Sequence, residues 1–111
     1  MSLLSELTLL SKKLGIPSGT IKFTKEAPDT YLVFTPLFDE LTLFADNKPQ
    51  AELVEVRLSL FTKKNYQSLK NQITDTLLEK DITITERRFI GFEEDTGFYH
   101  YSLDVAKEYV R

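Results

Sequence analysis

His100 is the only histidine in the chain, and cysteine is absent. A Cys–His dyad or a metal site with paired imidazoles needs a second such residue, so neither can be built. Disulfides, thiolate nucleophiles and thiolate-held metals drop out together. A lone His on a strand reads as solvated or hydrogen-bonded. Glu93, Glu94 and Asp95 stand side by side and could gather around a cation, but a calcium loop spaces its ligands as Asp-x-Asp-x-Asp-Gly. This run reads as a solvated turn. Three basic pairs, Lys12-Lys13, Lys63-Lys64 and Arg87-Arg88, could meet phosphates. Scattered through a chain of net charge −3, they read as ordinary surface. No Gly-rich phosphate loop, nucleophile elbow or kinase-type signature occurs. The sequence offers no catalytic, cofactor-binding or metal-ligating set, and an enzyme is not expected.

The elements that carry these residues are organised around Val54 to Leu78, where the hydrophobic period changes from two to about 3.6. Val54, Val56, Leu58 and Leu60 alternate with Glu55, Arg57 and Ser59, which gives a strand with one apolar face. Asn65 is placed to cap a helix whose Tyr66, Leu69, Ile73 and Leu77 share one side. A strand feeding a helix that folds back onto it is the core of an α+β or α/β domain. Upstream, Ser2 can cap a helix with Leu3, Leu7, Leu10 and Leu14 in a stripe that Leu4 and Leu9 widen. Gly15, Ile16 and Pro17 terminate it.

Ile21 to Thr24 reads as a brief edge strand and Tyr31 to Thr35 as a second. Pro36 cannot donate to a ladder, so that strand ends there or lies at an edge. Residues 37–52 then form a hairpin extension or arm around the turn-rich Ala45 to Gln50. Its Leu41, Leu43 and Phe44 are too apolar for a solvated loop, so they are candidate assembly residues on a mobile, projecting arm. Asp81 to Ile90 is a further strand, with a phase shift near Arg87-Arg88. Glu93 to Gly97 is a hairpin tip, and Tyr99, Tyr101, Leu103 and Val105 line the return strand opposite Phe98, His100, Ser102 and Asp104. The fold expected is a single α+β domain over 1–111, with one mixed or antiparallel sheet and two helices on one face. Its order is helix-strand-strand-arm-strand-helix-strand-strand. The other face would carry Phe61 and some of Phe34, Phe89 and Phe98, a residual apolar surface of the kind that marks contacts.

Composition agrees with that outline. At 111 residues the chain is one domain and can bury a core without metal or disulfide. With 12% aromatics and only four Gly and four Pro, it is globular rather than low-complexity. The interspersed charges argue against a dedicated polyanion binder. The Leu-rich start carries Glu6 ahead of Lys12-Lys13, the wrong order for a signal peptide, and no apolar run approaches membrane-spanning length. The chain reads as soluble, without a membrane partner.

Asp29 to Phe34, the turn Leu43 to Asn47, Val54 to Leu58 followed by Lys64-Asn65-Tyr66, and the acidic-to-aromatic run Glu93 to Tyr101 resemble segments of the tail completion proteins of long-tailed phages, also called head–tail joining or tail terminator proteins and common in prophages of Gram-positive bacteria. The resemblance spans Ile21 to the C-terminus. It implies a small α+β virion protein, without catalytic residues or cofactors, that assembles as a commonly hexameric homo-oligomeric ring. Such a ring caps the head-proximal end of the tail tube, ends tube polymerisation and meets the head connector. DNA passes through it without sequence-specific binding. The implied location is the tail and neck of the virion, after assembly in the bacterial cytoplasm. A small nucleic-acid-binding regulatory module, or a monomeric or dimeric interaction domain, would fit the same composition.

Overall fold

The computed structural model describes residues 2–22 and 26–111. The elements are α1 (Leu3–Leu14), β1 (Ser18–Thr20), β2 (Thr30–Ala45), β3 (Lys48–Thr62), α2 (Tyr66–Glu79), β4 (Thr83–Glu93) and β5 (Phe98–Val110). The described strands form one five-stranded sheet in the order β1-β2-β3-β5-β4. β1 runs parallel to β2, and every other adjacent pair is antiparallel. Both helices cover the same face, so the protein is α+β with a mixed sheet, in the order expected.

Local chemistry accounts for the helices. The Ser2 hydroxyl accepts from Ser5 N–H while Ser5 Oγ accepts from Ser2 N–H, a reciprocal cap on α1. Gly15, at φ 71°, takes the left-handed position that ends the helix, and Ile16 tucks into the core. Leu3, Leu7 and Leu10 are buried and Leu14 is partly so, but Leu9 points to solvent at 53% exposure. It lies two residues from Leu7, roughly half a turn around the helix. Asn65 Oδ1 accepts from the Gln67 and Ser68 N–H groups to cap α2. Ile73 and Leu77 are fully buried, with Tyr66 and Leu69 packed at the margin.

The strands depart from the sequence expectation in instructive ways. β1 falls at Ser18–Thr20 rather than from Ile21 onward. Ile21 has φ 72° and is exposed, and Phe23 and Thr24 lie outside the described residues. Parallel pairing starts straight after the helix, with Leu32 N–H donating to Pro17 C=O at 2.9 Å. Ladder bonds come from the backbone, so a polar Ser-Gly-Thr run serves as well as an apolar one. β2 continues through Pro36, which falls beyond the last β1 pair (Thr20 with Phe34) at a free edge. The ladder with β3 shifts register between Pro36 and Phe38. β4 carries two irregularities, between Ile84 and Glu86 and between Phe89 and Gly91. They flank the Arg pair where the phase shift was expected.

Register sorts the aromatic residues between faces. Leu32 pairs with Leu60 and Phe34 with Leu58, and Val56, Leu58, Leu60, Leu103 and Val105 join the helices in one core. Phe34 is therefore a core residue. Phe89, paired with Tyr101 and 5.1 Å from the Tyr66 ring, also lies on the helix side. Of the phenylalanines expected opposite, Phe61 and Phe98 are there and Phe34 and Phe89 are not.

The first helix is tied to the last strand by polar contacts. Glu6 accepts from Lys107 Nζ at 2.8 Å and from the Tyr109 hydroxyl. Burial pushes the Glu6 carboxyl up, but the hydrogen bonds from Lys107 and Tyr109 and the Lys107 charge outweigh it and hold the group below its ordinary range. Burial, followed by the hydrogen bond and charge of Glu6, pushes Tyr109 well above the usual phenol range.

Two predictions follow from these contacts. Ile73→Asp would put an unpaired carboxylate at a fully buried site. Truncation there costs about 2–5 kcal/mol and the buried charge more, against a total stability of about 5–15 kcal/mol. The variant should be unfolded by circular dichroism, whereas Asn71→Asp, on the exposed side of α2, should melt like the parent. The second concerns acid stability. A depressed folded-state pKa gives stability that is present above the unfolded carboxylate value of about 4.3 and lost as pH falls through the lower, folded value. Glu6→Gln should therefore cost about 1–2 kcal/mol at pH 7. That difference should shrink and vanish in urea melts as the pH is taken down through the lowered folded-state value.

Candidate assembly surfaces

The longest strands make the most exposed feature. β2 and β3 are 16 and 15 residues long. At about 3.3 Å per residue such a ribbon spans about 50 Å, and the molecule measures 55 × 26 × 23 Å. The ribbon sets the long axis. Its tip turns through Asp46 and Asn47, both in the left-handed region at φ 50° and 61°. This is the backbone of a two-residue hairpin turn, which Asp and Asn tolerate. β5 braces the root of the ribbon as far as Ala51 opposite Val110, and Arg111 N–H adds a bond to Gln50 C=O. Beyond that point the ribbon is two-stranded.

Of the candidate assembly residues, Leu43 and Phe44 lie on this extension, and Leu41 sits at its root opposite Glu52, which β5 still braces through Tyr109. Leu41 is 45% exposed, and Leu43 and Phe44 are each 64% exposed. The backbone groups of the segment that face β3 pair across the ribbon, while those on the outer edge of β2 stand open. Leu41 pairs with Glu52 on the helix side, and Phe44 pairs with Pro49 on the opposite side. Apolar groups thus emerge on both faces, and no one surface of the same body covers them. Leu43 has φ 54°, a conformation that costs a non-glycine residue about 1–2 kcal/mol.

The open sheet face holds a continuous aromatic row. Tyr31 stacks on Phe61 at 4.9 Å, Phe61 stacks on His100 at 4.2 Å, and Phe98 meets Tyr31 edge-on at 5.6 Å. His100 thus sits in a ring stack. Burial, joined by the Arg57 charge and opposed by Glu93, lowers its pKa and keeps it neutral at pH 7. Its Nε2 has no hydrogen-bond partner among the described residues. Next along the face, Arg57 forks onto Asp104, Nε to Oδ1 at 2.8 Å and Nη2 to Oδ2 at 3.1 Å. The Asp104 hydrogen bonds and charge raise the already high Arg57 pKa. Sequence alone did not reveal this pair, because cross-strand partners 47 residues apart meet only once the register is known.

On the helix side, β4 and β5 present a second aromatic group. Tyr66 lies 5.1 Å from Phe89, 5.4 Å from Tyr99 and 5.8 Å from Tyr101, and Phe92 lies 4.7 Å from Tyr99. Phe89 and Phe92 remain about half exposed. The basic pairs do not build a common surface here. Arg87 and Arg88, opposite Leu103 and Ser102, point to opposite faces. Lys63 leans over the Phe98 ring, and Arg88 contacts Glu86 at 3.2 Å. Glu93 to Gly97 forms the expected turn, with Gly97 at φ 80°. Among the described residues no group of three or more His, Asp or Glu is placed to hold a metal ion, and no helix is long and apolar enough to cross a membrane.

No protein-family model matches this chain, and no curated protein matches its sequence.

A two-stranded ribbon is marginal in water. In amide exchange on dilute protein, residues 41–49 should exchange fast and Val56 to Leu60, paired on both sides, slowly. On self-association, protection should rise at Leu41 to Phe44. Full protection of those amides in the dilute protein would remove the arm from consideration.

Proposed function

We propose that this chain is a non-enzymatic subunit that closes into a ring with copies of itself. Within that class it is a tail completion protein of a long-tailed phage or prophage. Its ring, a hexamer on the resemblance, caps the head-proximal end of the tail tube, stops tube growth and meets the head connector. The observation that carries the reading is the projecting ribbon. A monomer gains nothing from holding Leu41, Leu43 and Phe44 in water, whereas a neighbouring subunit or the tube end would bury them at about 1.5–3 kcal/mol each. That gain offsets the ordering of a fraying tip. The element order and the segments that resemble the family support the particular assignment. A head-to-tail contact closes into a ring when its rotation permits, and the net charge of −3 suits a lumen that passes DNA without retaining it.

Light scattering should show monomer in dilute solution. Negative-stain images should show closed rings at millimolar concentration or on the ends of tail tubes. Monomer mass at millimolar concentration, together with bare tube ends, would overturn the proposal. A salt-sensitive shift of duplex DNA by the monomer would instead favour a nucleic-acid-binding module.

A further inference from the structure

The exposed apolar side chains concentrate at two places, the outer edge of the β2 arm and the outer edge of β4. Leu37, Phe38, Leu41, Leu43 and Phe44 occupy the first, and Phe89, Ile90 and Phe92 the second. Both are free strand edges. β1 covers β2 only from Leu32 to Phe34, and β4 stands last in the sheet with β5 as its one neighbour. The two edges differ in charge. The arm carries Asp39, Glu40 and Asp46 against Lys48, whereas the middle of β4 carries Arg87 and Arg88 next to Glu86, with Glu93 at its far end.

We infer that the arm edge of one copy adds as a strand to the β4 edge of the next. The contact rests on the self-assembly proposed above and names where the arm goes. Successive antiparallel pairings make β4 run opposite to β2 within one copy. A neighbour that continues the sheet therefore meets the arm in antiparallel fashion, with like faces aligned. Placing Glu40 opposite Arg88 keeps both on the open face, since Glu40 pairs with Leu53 on β3 and Arg88 with Ser102 on β5. In that register Phe38 falls opposite Ile90. On the helix side, Asp39 and Leu41 come diagonal to Arg87 and Phe89, within reach of cross-strand contact. Each copy uses two different edges, so the contact is head-to-tail, the kind that a ring requires. It also removes both free edges, which otherwise invite unspecific pairing.

The absence of native cysteine allows a direct test with Phe38→Cys and Ile90→Cys made in separate chains. Directly opposed residues of an antiparallel pair stand about 4.5–5.5 Å apart, which suits a disulfide. Within one chain β2 and β4 are separated by β3 and β5, about 14 Å in all, so any bond is between copies. Mixed and oxidised at a concentration that gives rings, the two variants should yield the mixed dimer far more than either like pair. Glu40→Arg and Arg88→Glu should each weaken association about fivefold per interface, and the double variant should recover it. Thermal melts that match the parent would show that the variants fold. Rings that form without the mixed disulfide and ignore both charge reversals would overturn this seat for the arm while leaving ring formation standing. Failure of the parent to associate at all would overturn the assembly itself.

Discussion

Pairing of β3 on both sides is the constraint from which the rest of the structure follows. β2 and β5 are not neighbours in the sheet; each pairs with β3, and β1 and β4 join the sheet through β2 and β5. Alternation along β3 sends Val56, Leu58 and Leu60 under the helices and Arg57, Ser59 and Phe61 to the open face. A slip of one residue would exchange the two sets. Several contacts oppose that slip at fixed positions. The Arg57–Asp104 fork locks β3 to β5, the Thr30 and Thr62 hydroxyls meet at 2.8 Å across β2 and β3, and Phe61 is stacked between Tyr31 and His100. Each spans a different strand boundary or height, so together they fix the alignment.

Much of this was legible in the sequence because it depends on local signals. Caps at Ser2 and Asn65, the stop at Gly15, both amphipathic stripes and the period-two runs of β3 and β5 are properties of short windows. What stayed hidden depends on register. Phe34 and Phe89 are as apolar as Phe61, and nothing local says which face each takes. The choice is made by cross-strand register, which sets Phe34 opposite Leu58 and Phe89 opposite Tyr101. The Glu6 to Lys107 contact, 101 residues apart, could not be read from spacing. β1 was misplaced because its ladder uses backbone groups that any sequence supplies. Leu41, Leu43 and Phe44 were identifiable as an anomaly, apolar residues beside a turn, although the sequence did not disclose a ribbon with apolar groups on both faces.

The ribbon also explains how a small domain can display apolar groups without losing its fold. The core of helices and central sheet is closed by Leu7, Phe34, Leu58, Ile73, Leu77 and Leu103, all essentially inaccessible. None of the arm's side chains beyond Pro36 belongs to it. Stability and display are carried by different stretches of the same two strands, with the end of β5 as the brace where one gives way to the other. Side chains near the tip can therefore vary to suit a partner with little effect on the body.

The position of β5 has a consequence for how the protein is made. It is the fifth strand in chain order yet lies inside the sheet, fourth from the β1 edge and second from the β4 edge. As the nascent chain lengthens, the β2–β3 hairpin can form from neighbouring segments, but one side of β3 stays bare and β4 has nothing to pair with. The sheet closes only when β5 is inserted between strands already synthesised. Until then, the flank of β3 that β5 will cover presents unpaired backbone N–H and C=O groups. The sheet of this topology is completed by its last strand, and an unpaired strand flank is open to misassociation until that strand is in place.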